Sequence, residues 1–288
     1  MTKVEGGLRC QNRDERFLPG KPVISIVTVV LNGENYLEET IQSVLDQTYE
    51  NVEYIIIDGG SKDDTINIIR KYENKISYWM SEQDSGLYDG LSKGLLLARG
   101  SIIGYCNAGD YYHKAALGLV SELFTGNGIH WLTGKRVNYN DHSQIIHIDT
   151  PNVYRKEFIR SGVYGSFMPY IQQESTFWSR EALDTLDWDY FRSLRLAGDY
   201  YLWFSFSQKY NLNIVDSYLG GFKYHDNQLS TALDKYKIER KKFIKKMNPI
   251  YMPLLLWDMI TWFFPASFKK KLNSKYFFTY NKYNKRWE

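Results

Sequence analysis

Three features of the sequence predict an α/β fold built on a doubly wound, mostly parallel sheet. Apolar, β-branched runs alternate with amphipathic stretches four times between residues 22 and 112. The runs are apolar throughout, as in strands covered on both faces. Polar residues gather where the runs end, at Asn32, Asp58, Asp84 and Asp110. Open α/β sheets bind ligands along that edge.

The elements follow in order. Residues 1–21 are polar and charged, lack the apolar stretch of a secretory leader and close on Pro19-Gly20, so they are expected to form a flexible extension. VISIVTVV (23–30) is the first strand. In the next segment Leu37, Thr40, Ile41, Val44 and Leu45 recur at helical spacing. VEYIIIDGG is the second strand and ends on Asp58 and two glycines. Ser61 is placed to cap the helix DDTINIIRKYE. ISYWMSE is the third strand, QDSGLYDG a loop, LSKGLLLARG a helix stopped by Gly100, and SIIGYCNAGD the fourth strand. Beyond residue 112 the pattern is mixed. WLTGKRVNYN and SQIIHID suit a hairpin, QESTFWS a strand and AGDYYLWFSFSQKY a helix.

Composition narrows the function. At 288 residues with 43% hydrophobic and 24% charged residues, the chain has an ordinary globular balance, which excludes wholesale disorder. Aromatic residues reach 16%, which favours carbohydrate or membrane-interface contact as well as core packing. The two cysteines, Cys10 and Cys106, make neither a disulfide framework nor a four-ligand zinc site, and fit a reducing compartment. From Lys235 to Glu288 there are fourteen Lys/Arg against three Asp/Glu, a formal +11 in a chain of net +3, so the remainder carries −8. The tail combines KYKIERKKFIKKMN, the apolar PIYMPLLLWDMITWFFP and KKKLNSKYFFTYNKYNKRW. Asp258 and the flanking prolines speak against a spanning helix. Basic residues beside Trp, Tyr and Phe suit an anionic membrane surface, and a helical lid packed on the main domain suits the same pattern. No nucleic-acid-binding module is recognisable, and nucleic acid is not expected as a partner.

PVISIVTVVLNGENYLEETIQSVLDQTYENVEYIIIDGGSKDDT resembles the amino-terminal half of the family 2 glycosyltransferases, which have the GT-A fold. SEQDSGLYDGLSKGLLLARGSIIGYCNAGDYY continues the resemblance, and QQESTFW and LAGDYYLW are similar to the family's acceptor-side segments. It covers roughly residues 22–230. The resemblance implies a GT-A-like domain over 22–232, with a nucleotide-binding half (22–112) and an acceptor half (113–232), followed by a helical basic carboxyl-terminal appendage (233–288). It implies an inverting transfer from a nucleotide-sugar donor to a glycan or lipid-linked acceptor, as in bacterial surface-polysaccharide or glycolipid assembly. A cytoplasmic chain, peripheral on the inner face of the membrane, is expected.

The residue types suit that chemistry. A nucleoside diphosphate leaves with concentrated negative charge, which a divalent cation, Mn²⁺ or Mg²⁺, can neutralise. The resemblance assigns Asp110 to the metal, and His225 of GGFKYHDNQLS, beside the diphosphate, to the metal or a phosphate oxygen. It assigns Val29, Leu31 and Asp58 to the nucleoside, and Asp84, Tyr88 and Asp89 to the donor. Gln173 and Glu174 are assigned to the acceptor, and Asp199 is the general base, with Glu174 its competitor. Simpler structural readings exist for each: turn-forming aspartates at Asp58 and Asp110, a helix-start aspartate at Asp89, an amino-terminal helix aspartate at Asp199, a loop histidine at His225. Lys93 is expected to be a solvated helix lysine. Two family acids are absent: Gly59 follows Asp58, and Gly109 precedes Asp110. That supports a rival reading, a degenerate nucleotide- or glycan-binding scaffold. A nucleotidyltransferase is the third reading, and LNGENYL lacks the Gly- and Arg/Lys-rich loop it would need after the first strand.

Overall fold

The computed structural model describes residues 3–11, 17–224 and 233–288. His225 lies outside the described residues. The chain opens with β1 (Val4–Gly6), then β2 (Ile24–Val30), α1 (Leu37–Leu45), β3 (Val52–Asp58), α2 (Thr65–Lys71), β4 (Tyr78–Ser81), α3 (Leu87–Leu97) and β5 (Ile102–Tyr105). All seven residues of β2 are buried, as the unbroken apolar run requires. β2 and β3 pair in parallel from Ile24↔Val52 to Val30↔Asp58. β4 adds in parallel beyond β3, and β5 adds in parallel on the other side of β2. The direction of winding therefore reverses between β2 and β5, and open α/β sheets bind ligands outside the carboxyl ends of the strands at such a reversal.

Side chains alternate across this sheet. Val27, Val29, Ile55 and Ile57 join the core beneath α3, while Ile24, Ile26, Val30 and Ile56 join the core beneath α1 and α2. Burying each such residue is worth about 1.5–3 kcal/mol over leaving it exposed.

The second half completes the site. It runs β6 (Tyr111–Tyr112), α4 (Ala116–Phe124), β7 (Trp131–Thr133), β8 (Arg136–Tyr139), β9 (Ile145–Asp149), α5 (Lys156–Arg160), β10 (Thr176–Ser179), α6 (Trp188–Ser193), α7 (Gly198–Phe206), β11 (Asn213–Val215) and β12 (Gly220–Lys223). β8 and β9 form the expected hairpin. β10 is antiparallel to both β5 and β7, with Phe177 opposite Gly104. Its amino-terminal end therefore meets the carboxyl end of β5, and residues 173–175, a 3₁₀ turn, sit beside the loop after Tyr105. A second sheet, β6-β12-β8-β9, closes over that loop.

Two expectations are corrected. The opening residues are not all extension: Val4–Gly6 pairs antiparallel with β4. A three-residue edge strand carries too little apolar pattern to be read from sequence. The carboxyl-terminal segment is also more than an appendage. It holds α8 (Leu233–Arg240), α9 (Met252–Thr261), α10 (Ala266–Leu272) and β13 (Phe277–Phe278), and β13 extends the main sheet beside β11 to give the order β1-β4-β3-β2-β5-β10-β7-β11-β13. Leu255 and Trp262 enter the core, and Asp258 takes a two-pronged hydrogen bond from Arg155 at 2.6 and 2.9 Å. The packed-lid reading of this segment holds. Among the described residues, no helix is long and apolar enough to cross a membrane.

Candidate active site

The polar residues at the strand ends divide into two groups. The first surrounds Asp58, the last residue of β3. Its fully buried carboxylate accepts from the Gly60 amide (3.1 Å), the Ser61 amide (3.0 Å), the Ser81 hydroxyl (2.6 Å) and the Ser61 hydroxyl. Contact with a nucleobase would have to replace one of those donors. Ser61 thus closes the strand-end turn, and α2 begins only at Thr65, where Asp63 accepts from the Thr65 amide at 3.1 Å. The Ser61 hydroxyl in turn accepts from the Asn32 amide at 2.7 Å, lacing the loops after β2 and β3 together. Val29 is buried within β2, whereas Leu31 is 60% exposed at the rim.

Asp84 belongs to the same group. Its Oδ1 accepts from the Gly86 amide at 2.9 Å. Its Oδ2 lies 2.7 Å from where a Cβ on Gly59 would sit. The space a second family acid would claim is thus filled by the Asp84 carboxylate, and burial raises its pKa. Tyr88 and Asp89 are placed otherwise than expected, because α3 starts at Leu87, four residues before the predicted helix. Tyr88 is buried and donates to the Leu196 carbonyl at 2.9 Å, its ring against Gly198, where a Cβ would lie 2.4 Å away. Asp89 accepts from the Ser85 amide at 3.0 Å, at the start of α3. Lys93, expected to be solvated, instead pairs with Glu82 at 2.6 Å.

The second group collects acids from three distant segments. Asp110 is buried, and its Oδ1 accepts from the Lys223 amide of β12 at 3.1 Å. The Thr40 hydroxyl of α1 holds the preceding loop, donating to the Asp110 carbonyl at 2.7 Å and accepting from the Gly109 amide at 2.9 Å. Gly109 has φ +104°, a conformation that side-chain-bearing residues rarely adopt, so the missing acid follows from the turn itself. Glu174 is buried and lies close enough to Asp110 to oppose its ionisation. Burial and then Glu174 hold the Asp110 carboxyl well above the usual carboxylate range, against the Lys223 amide. Burial pushes Glu174 up to about 7, with Asp199 adding to the rise. The pair therefore retains a proton near neutral pH. Gln173 is tied down: its amide nitrogen donates to the Tyr105 carbonyl, and its Oε1 accepts from Asn107 at 3.1 Å.

Asp199 stands on the first turn of α7. It is partly exposed, and its Oδ1 accepts from the Tyr200 amide (2.7 Å) and the Tyr236 hydroxyl of α8 (3.1 Å). Desolvation raises it to about 6, while those two donors and Arg240 oppose the rise. Sequence reading missed Tyr236 and Arg240, which lie inside a run that reads as merely basic.

A divalent cation fits the second group. Glu174 Oε2 and Asn107 Oδ1 are buried acceptors with no hydrogen-bond partner among the described residues, and the carboxyl pair is destabilised as anions. Among the described residues, no three His, Cys, Asp or Glu are gathered to hold a metal. The protein would supply part of a coordination sphere, which suits ions that share their ligands with phosphate oxygens and water.

With this geometry in place, the profile of glycosyl transferase family 2 matches residues 25–187. The chain belongs to that family. The match spans the strand-end acids and Glu174, and stops short of Asp199. Among curated relatives, an Escherichia coli protein named as a UDP-Glc:α-D-GlcNAc-diphosphoundecaprenol β-1,3-glucosyltransferase, WfaP, is 25% identical over 241 residues, covering 78% of this chain and 87% of the relative. Among solved structures, S. aureus TarS 1–349 in complex with UDP-GlcNAc aligns with TM-score 0.55 and 14% identity, over 88% of this chain and 71% of that one. The mannosyltransferase PcManGT of Pyrobaculum calidifontis, in complex with GDP-Man and Mn²⁺, aligns with TM-score 0.55 and 15% identity, over 89% and 76%. These likenesses place the family 2 chain in the GT-A fold.

The carboxyl pair makes a pH-dependent prediction for the metal-free protein. The folded pKa of Glu174, about 7, exceeds its ordinary value of 4.5, so its contribution to stability is complete below about 4.5 and is lost as pH rises through 7. Glu174→Gln is expected to stabilise the chelator-treated protein by about 3 kcal/mol at pH 8 and hardly at all at pH 4.5. Urea unfolding at the two pH values measures this, and an equal shift at both would contradict the buried pair.

Proposed function

We propose that this family 2 glycosyltransferase inverts the anomeric centre of a nucleotide-sugar donor, using a divalent metal, and acts on a glycan or lipid-linked acceptor in polysaccharide or glycolipid assembly. The observation that carries this reading is the buried pairing of Asp110 and Glu174 at the strand ends, with Asp199 near enough to Glu174 to raise its pKa. Asp110 is the residue that would hold Mn²⁺ or Mg²⁺, with the unpartnered Glu174 Oε2 beside it. The bound cation would supply charge neutralisation for the departing diphosphate.

The chain's own residues account for the rest. An acceptor hydroxyl oxygen forms its bond to the anomeric carbon as the bond from that carbon to the diphosphate oxygen breaks. The electron pair leaves with the nucleoside diphosphate, and the hydroxyl proton passes to Asp199. Asp199 suits this role better than Glu174 because it is partly exposed, and because both of its hydrogen bonds fall on Oδ1, leaving Oδ2 for the proton. The strand-end loop, whose shape the buried Asp58 carboxylate fixes, positions the nucleoside, and Asp84 takes the place of the second acid. The named activity of WfaP supports a lipid-diphosphate acceptor, and the complexes of TarS and PcManGT support a nucleoside diphosphate donor and a metal.

Asp199→Asn is expected to retain donor binding and lose transfer by at least about 100-fold, since general-base catalysis contributes on that order. In the unaltered chain, turnover is expected to fall as pH drops below about 6, where Asp199 becomes protonated. A variant with normal turnover would contradict the assignment.

The carboxyl-terminal surface supports membrane association. α9 buries Leu255, Asp258 and Thr261 but turns Leu256, Trp257 and Ile260 to solvent, followed by Phe263 at 88% exposure. Exposed Lys241, Lys242, Lys245, Lys246, Lys271 and Lys275 accompany it. An apolar, tryptophan-bearing face with basic neighbours suits an anionic bilayer. Cosedimentation with phosphatidylglycerol vesicles is expected, with little on phosphatidylcholine. Trp257→Ser with Phe263→Ser is expected to cut the bound fraction several-fold. Equal binding to both vesicle types, or none, would contradict this surface.

A further inference from the structure

The helix α8 carries contacts that neither its basic composition nor a lid role explains. Tyr236, Glu239 and Arg240 are spaced i, i+3, i+4 and so share one face. The Tyr236 hydroxyl donates to Asp199 Oδ1 at 3.1 Å. The Glu239 carboxylate accepts from three successive amides, Arg195 at 2.9 Å, and Leu196 and Ala197 at 2.7 Å each. These amides lead into α7, whose cap residue Ala197 has no side-chain acceptor of its own. Glu239 thus holds the backbone that leads into α7, up to and including its cap residue, and so fixes the turn on which Asp199 stands. Arg240 is buried. It donates to the Tyr164 carbonyl at 2.8 Å and to the Ser166 hydroxyl, and its guanidinium lies 4.9 Å from the Tyr200 ring and 5.8 Å from the Tyr236 ring. It ties α8 to the loop after α5 and to the residue following Asp199.

We infer that α8 belongs to the active site: Tyr236 is a positioning residue that orients the Asp199 carboxylate, and Glu239 and Arg240 hold α8 where Tyr236 reaches it. This rests on Asp199 being the base. With Oδ1 bonded to Tyr200 and Tyr236, the carboxylate cannot swing, and Oδ2 is the oxygen that receives the acceptor proton. The titratable and charged groups around Asp199 are Tyr88 of α3, Tyr105 of β5, Glu174, Tyr200 of α7, and Tyr236 and Arg240 of α8. Among these neighbours, the Tyr200 amide, then Tyr236 and Arg240, favour the ionised carboxylate, and the last two come from α8.

The test uses the full chain. Nucleoside diphosphate release is followed from a panel of UDP-, GDP-, CDP- and dTDP-sugars, with water or an alkyl-diphosphate-linked GlcNAc as acceptor. Tyr236→Phe is expected to lower kcat about tenfold, leave the donor KM and the thermal midpoint unchanged, and move the acid limb of the kcat profile to higher pH. Lys237→Ala, on the outer face, is expected to change none of these. Glu239→Gln is expected to lower kcat in the same direction. In an Asp199→Asn background, Tyr236→Phe is expected to add no further loss, because it acts through that carboxylate. Unchanged kcat and pH profile in Tyr236→Phe, or an additive loss in the double variant, would overturn the inference about α8 alone. Full turnover in Asp199→Asn, or no release from any donor, would overturn the reading of the base on which it depends.

Discussion

Two carboxyl groups, Asp110 and Glu174, are buried side by side, and contacts from several elements keep them there. Such a pair is unfavourable by itself: burial works against ionisation of both, and Glu174 adds to the rise at Asp110. A fold that maintains it needs supports on every side. Thr40 holds the loop before Asp110 from α1, the Lys223 amide approaches from β12, and the antiparallel β10 delivers Glu174 from the opposite side. The winding reversal between β2 and β5 places them at the edge where open α/β sheets bind ligands. Strain of this kind is retained where a ligand relieves it, and a cation with a diphosphate has the charge to do so.

The two glycines in the place of family acids fit the same picture. Gly109 is required by its own backbone conformation, and the volume beside Gly59 is taken by Asp84. Neither marks an eroded site. Asp84 arrives beside Gly59 from the β4–α3 loop, and Glu174 lies next to Asp110 from the turn before β10. This weakens the degenerate-scaffold reading, whose support in the sequence was those two positions.

Much of the fold was legible in the sequence, for a physical reason. β2 and β3 are buried on both faces, so their residues are apolar without interruption, and α1 shows its core face at Leu37, Thr40, Ile41 and Val44. The start of α3 was not legible, because Ser85-Gly86 in the predicted loop masks a helix that begins at once with Leu87. The acids themselves were legible from their motifs, but their pairing was not. It depends on β10 entering antiparallel between β5 and β7, a register that no local pattern encodes. Tyr236, Glu239 and Arg240 were hidden because their shared face is interleaved with lysines of the solvent side. Their spacing was the available signal.

The most direct test of the account is calorimetric titration of UDP, GDP, CDP and dTDP into the intact protein, with and without Mn²⁺, and into Asp110→Asn. The account predicts that one nucleotide binds in a metal-dependent manner, and that Asp110→Asn abolishes the dependence on metal. Binding that ignores both the metal and the substitution, or no binding by any nucleotide, would contradict the claim that the buried carboxyl pair is a cation and diphosphate site.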